Sequence, residues 1–145
     1  MSALPSAEDC AYTKLRRLAR CVSHHFDAEL AKAGLKTTQL GLLSEIRRLQ
    51  PVEPGELARV LGVDPSTLTR NLRPLLAAGW VELGAGKDAR SRSIRITESG
   101  RAKQVQAQRR MRAAQRSMDE KLGVRRMAEL KALMDESLGI LAASH

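Results

Sequence analysis

Two short runs concentrate the side chains of this sequence that could do chemistry. One is Ser66-Thr67-Leu68-Thr69-Arg70-Asn71-Leu72-Arg73, and the other is Lys87-Asp88-Ala89-Arg90-Ser91-Arg92. Hydroxyls and guanidiniums at this density suit hydrogen bonding to phosphates or base edges, where arginine offers a bidentate fork to guanine. Bond-making chemistry needs other sets, and the sequence holds no paired carboxylates, no phosphate-binding glycine loop and no nucleophile–base pair. Gly84 and Gly86 fall in a hairpin rather than between a strand and a helix, so they form no dinucleotide motif. His24 and His25 are neighbours on a helix and point apart, and His145 is terminal, so surface or pocket-lining roles are expected and no metal or cofactor. Cys10 and Cys21 lie eleven residues apart, about 16 Å along one helix, too far to bond within it. They read either as small core residues or as sensor thiols.

Composition narrows the setting. A chain of 145 residues suits one domain, and 43% hydrophobic residues suffice for a core. Tyr12, Phe26 and Trp80 are the only aromatics, so the core must be aliphatic, which favours helices. Lys and Arg number 25 against 16 acids, a net charge of +9. That excess favours a polyanionic partner, either nucleic acid or an acidic membrane surface. Two cysteines exclude a disulfide-stapled scaffold. Residues 1–9 have neither a basic nor an apolar leader pattern, and no apolar run approaches a membrane span, so a cytoplasmic protein without membrane partners is expected.

The elements that must carry these residues follow from hydrophobic period. Leu15, Leu18, Val22, Phe26 and Leu30 predict a helix from Glu8 to Ala33, ended by Gly34. A second helix is expected over Thr38–Leu49, capped by Thr37 or Thr38 and stopped by Pro51. Pro54 opens a short third helix that ends at Gly62. Asp64 caps a fourth, with Pro65 in its first turn and Gly79 at its close. Two helices joined by the tight Gly62-Val63 turn make a helix-turn-helix.

At about 100° per residue, Leu68, Leu72, Leu75, Leu76 and Gly79 share the inward side of that fourth helix. Ser66, Thr67, Arg70, Arg73, Pro74 and Ala77 lie opposite, with Thr69 and Asn71 on the flanks. Pro74 removes a backbone donor and should kink the helix. Beyond Gly79 the period becomes two: Trp80–Leu83 and Ser93–Thr97 predict strands flanking a basic loop with Lys87, Arg90 and Arg92. Thr97 caps a long helix to about Leu122, and another starts at Val124. The fold class is mainly α (α+β).

With those elements in place, the sequence resembles the MarR family of bacterial transcription regulators. The match runs through Asp88-Ala89-Arg90, then the strand ending Thr97-Glu98-Ser99-Gly100, Glu56-Leu57-Ala58 with Leu61-Gly62-Val63, and Ser66-Thr67-Leu68-Thr69-Arg70. The resemblance implies a single domain over 1–145, with a winged helix-turn-helix at about 36–97 and dimerisation helices at about 8–33 and 98–143. It implies a homodimeric repressor, not an enzyme, on a palindromic double-stranded DNA operator. Ser66, Thr67, Thr69, Arg70 and Arg73 would enter the major groove, and Lys87, Asp88, Arg90 and Arg92 would serve the wing. Arg90 would line the minor groove, and Asp88 would orient nearby arginines. Release by a small aromatic ligand or by oxidation is also implied, the latter with Cys10 ahead of Cys21 as the sensor because Cys21 borders the apolar stripe.

Dimerisation has independent support, since the apolar stripes of the first and last helices exceed what one small lobe can cover. The competing expectation is a non-specific nucleoid-architectural protein.

Overall fold

The computed structural model describes residues 6–144, so the terminal His145 lies outside the described residues. In chain order it places α1 (Ala11–Leu30), a single 3-10 turn (Ala31–Ala33), α2 (Thr37–Leu49), α3 (Pro54–Leu61) and α4 (Pro65–Ala77). Strands β1 (Val81–Ala85) and β2 (Arg92–Ile96) follow, then α5 (Glu98–Leu122) and α6 (Val124–Ala142). The chain divides into one unit ending at Met111 and another beginning at Arg112.

The first unit is built around Leu43, Ile46, Val52, Leu57, Leu68, Leu72, Leu75, Val81, Ile94 and Ile96, all buried. All but Val52, which lies between α2 and α3, come from the inward face of a helix or strand, and burying side chains of this size contributes about 1.5–3 kcal/mol apiece. Leu30, Leu35, Leu40 and Ala107 form a second buried group, and half-buried Trp80 packs against both. Gln104, itself buried, donates to Ser44 Oγ at 3.1 Å and accepts from Arg47 Nη1 at 2.6 Å, tying α5 to α2.

Several boundaries differ from expectation. Helix α1 begins at Ala11, not Glu8, because Cys10 is extended and the preceding residues form a turn closed by Asp9 N–H to Ser6 C=O. Thr37 is the first residue of α2 rather than its cap. Its N–H is satisfied across the fold by Asp27 Oδ1 at 2.9 Å, which leaves no need for a hydroxyl there. That same bond is the main reason the Asp27 carboxyl titrates below its ordinary range. The strands are displaced outward, to Ala85 and Arg92, and Trp80 is excluded from β1. Its N–H returns to Leu75 C=O and closes α4 instead.

The two strands pair antiparallel in the register Val81↔Ile96, Leu83↔Ile94 and Ala85↔Arg92, and Val52 bridges the other edge of Ile94. Thr97 caps α5 as expected: its hydroxyl donates to Gly79 C=O at 2.6 Å and accepts from Gly100 N–H at 3.0 Å. Gly100 cannot carry a side chain, because a Cβ there would strike the Trp80 carbonyl.

The second unit consists of the end of α5 and α6, joined at Gly123 with φ 87°. Met127 is buried, whereas Leu133, Leu138, Ile140 and Leu141 are each more than 60% exposed. Among the described residues no helix is long and apolar enough to cross a membrane.

Candidate nucleic-acid interface

Helix α4 is fixed at both ends by its own sequence. Asp64, extended at φ −75° and ψ 159°, accepts the Thr67 N–H at 2.8 Å on Oδ1, and Pro65 occupies the first turn, where no donor is missed. At the other end Gly79 takes φ 74°, a left-handed conformation that favours glycine. Between them Leu68, Leu72 and Leu75 are buried and anchor the helix to the core, with Leu76 half-buried. The helix continues through Pro74 to Ala77, so the proline does not end it.

The opposite face is open. Ser66, Thr69, Arg70 and Arg73 are exposed and Thr67 is half-buried. Ser66 Oγ donates to Asp64 Oδ1 at 2.6 Å, Thr67 Oγ1 donates to Asp64 Oδ2 at 3.1 Å, and Thr69 Oγ1 donates to Pro65 C=O at 2.9 Å. Arg70 Nη2 in turn donates to Thr67 Oγ1 at 3.4 Å. The Ser66 hydroxyl first, then the Thr67 amide and hydroxyl, hold the Asp64 carboxyl at about 2.

The wing loop is organised by Asp88. Its Oδ1 accepts the N–H groups of Arg90 and Ser91, both at 2.9 Å, and the Ser91 hydroxyl oxygen accepts the Asp88 N–H at 3.1 Å. The Arg90 and Ser91 amides hold the Asp88 carboxyl below its ordinary range. Asp88 therefore shapes the backbone from which Arg90 projects. Lys87, Arg90 and Arg92 are exposed, as is Arg95, which faces Glu82 across the strand pair.

A cavity of about 190 Å³ lies between α2 and α4, lined by Lys36, Thr38, Gln39, Leu42, Arg70, Asn71 and Pro74. Sequence reasoning singled out Arg70 but not Lys36 or Gln39. The signal was their position beside the start of α2.

The cysteines behave differently from the core reading. Cys10 is half-buried at the N-cap of α1, and Cys21 is exposed, so neither is a core residue of this chain. In the single chain Cys21 is exposed, as are Leu15 and Leu18 on the same helix. His24 is exposed and His25 packs edge-on against Phe26, with ring centroids 6.0 Å apart. Among the described residues no group of three or more histidine, cysteine or acidic side chains could hold a metal ion.

This geometry was compared with known proteins. A model of the MarR family matches residues 33–91, from the end of the 3-10 turn through α4, β1 and the wing loop. The transcriptional regulator MosR of M. tuberculosis, solved in complex with DNA, is 34% identical. The alignment covers 89% of this chain and 98% of that one, with a TM-score of 0.64. The chain belongs to the MarR family. Among curated members, the multiple antibiotic resistance protein MarR of Salmonella typhimurium is 38% identical over 74 residues, 50% of this chain and 51% of that protein. The HTH-type regulator YwoH of Bacillus subtilis is 27% identical over 90 residues, 62% of this chain and 66% of that protein. The chain thus spans between half and two thirds of the length of the curated relatives it matches. In the winged helix-turn-helix of this family member, α4 is the second helix of the motif and the β1–β2 hairpin is the wing.

Proposed function

We propose that this chain is a sequence-specific DNA-binding repressor rather than an enzyme. It acts in the cytoplasm as a homodimer on a palindromic double-stranded operator. The observation that carries the reading is the two-sided character of α4, with Leu68, Leu72 and Leu75 buried and Ser66, Arg70 and Arg73 open beside a basic wing. Such a helix can enter a major groove while its leucines hold it to the lobe, and Arg70 can fork onto guanine O6 and N7. Arg73, Lys87 and Arg92 meet phosphates, and Arg90 reaches a minor groove. MosR, solved in complex with DNA, supports the DNA-binding reading.

The exposed leucines of α6 support self-association, because one chain alone leaves them in water. Release follows when a small aromatic ligand fills the α2–α4 cavity and displaces Arg70, or when Cys10 or Cys21 is oxidised.

Competition binding tests the reading. DNA fragments selected from a random pool should outcompete unrelated duplex by at least about a thousandfold at fixed salt. Equal competition would replace the reading with non-specific, architectural binding. Mild peroxide should weaken operator binding by the parent but not by the Cys10→Ser, Cys21→Ser double variant. Unchanged parent binding would remove the oxidation route.

A further inference from the structure

The direction of each hydroxyl proton on α4 is fixed by its partner. Asp64 is ionised at neutral pH and a peptide carbonyl carries no proton, so in every one of these pairs the hydroxyl must be the donor. Ser66, Thr67 and Thr69 thus spend their single protons inside the protein. What they present outward is lone pairs. Arg70 takes one of those on Thr67 through Nη2.

From this we infer that the recognition helix reads amino groups: Ser66 and Thr69 accept hydrogen bonds from the exocyclic amine of adenine or cytosine on the facing strand, beside the guanine under Arg70. The inference rests on the DNA-binding reading above and names the base chemistry recognised. In the major groove adenine N6 and cytosine N4 donate, whereas guanine O6 and N7 and thymine O4 only accept. A lone-pair row is attracted to the first pair and repelled by the second. It is equally unsuited to phosphate, which offers no proton. Turning a hydroxyl outward to serve an acceptor would strip a donor from the Asp64 carboxylate or the Pro65 carbonyl and set lone pairs against lone pairs. Phosphate contact therefore falls to Arg73, Lys87 and Arg92. The half-site pattern is an arginine-read guanine flanked by adenine or cytosine, with guanine and thymine disfavoured at those flanking positions.

The test compares the full-length parent with Ser66→Ala and Thr69→Val. Both positions are exposed, and thermal unfolding verifies that each variant folds like the parent. Selection from a random pool locates the base position whose preference each variant relaxes. At that position the parent should favour adenine or cytosine. The operator is then rebuilt with 2-aminopurine for that adenine, or 2-pyrimidinone for that cytosine, which deletes the major-groove amine. The parent should lose roughly fivefold or more in affinity. The matching variant should lose little further.

Three results overturn the inference alone: a guanine or thymine at the relaxed position, additive losses from variant and base analogue, or equal weakening of each variant on operator and unrelated DNA. A parent that enriches no motif overturns the DNA-recognition reading as well.

Discussion

The helix-turn-helix lobe and helix α6 use the same amino acids to opposite ends. In the lobe, Leu57, Leu68 and Leu75 are almost wholly enclosed by their own chain. In α6, Leu138 is 66% and Leu141 61% exposed, although they recur at the same three-residue spacing as Leu72 and Leu75. Periodicity alone therefore tells where apolar residues align, not what covers them. The lobe is complete in one chain, whereas α6 displays a face that a second chain can cover at the gain of its apolar area.

The sharpest way to break that contrast is to charge the exposed face. Leu138→Asp with Leu141→Asp should abolish self-association, seen as a monomer in sedimentation at micromolar concentration. The parent should sediment as a dimer. An unchanged dimer would show that α6 has no part in assembly.

Its counterpart lies in the lobe. Leu57→Ala removes a fully buried side chain and should cost about 2–5 kcal/mol in denaturant unfolding. A loss below about 1 kcal/mol would mean that the lobe core is looser than its burial implies.

Smaller effects distinguish α4 from the wing. Asp88→Ala should lower operator affinity severalfold with little change in melting temperature, because Asp88 organises an exposed loop. Arg90→Ala should do the same. Full affinity in Asp88→Ala would show that the backbone bonds to Arg90 and Ser91 do not position the wing.

The least effect concerns acid. The Asp64 carboxyl is held at about 2 in the fold against an ordinary 3.8. A depressed folded value means its stabilisation is present above about 3.8 and is lost as pH falls from there towards 2. Asp64→Asn keeps a capping oxygen but cannot titrate there, so its melting temperature should fall less steeply than the parent's between pH 4 and 2. Parallel curves would deny the carboxylate that role.

Much of this arrangement was legible in the sequence, and the reasons are local. Glycines at 34, 62, 79 and 123 mark helix ends because each takes a positive φ. Asp64-Pro65 announced a helix start because cap and first-turn chemistry depend on neighbours in sequence. Less legible were the long-range bonds. Nothing near Thr37 signals that Asp27 will satisfy its N–H, so the cap was placed on the wrong residue.

The wing pattern is readable in the sequence, whereas the particular bonds that shape it are not. Asp88 bonds backbone amides rather than arginine side chains, and Gly100 is required by the close Trp80 carbonyl. Cys21 was expected to be shielded by an apolar stripe that is itself exposed in the single chain. Each of these depends on contacts between distant segments, which period and composition do not carry.

Arg70 decides the central claim, that α4 reads base edges. Affinities of the parent and Arg70→Ala are measured at one salt concentration on the selected operator and on unrelated duplex. The account predicts that the variant loses about 1–3 kcal/mol on the operator, little on unrelated DNA, and its preference at one guanine per half-site. Equal losses on both duplexes would mean that Arg70 touches only phosphate, and would contradict the account.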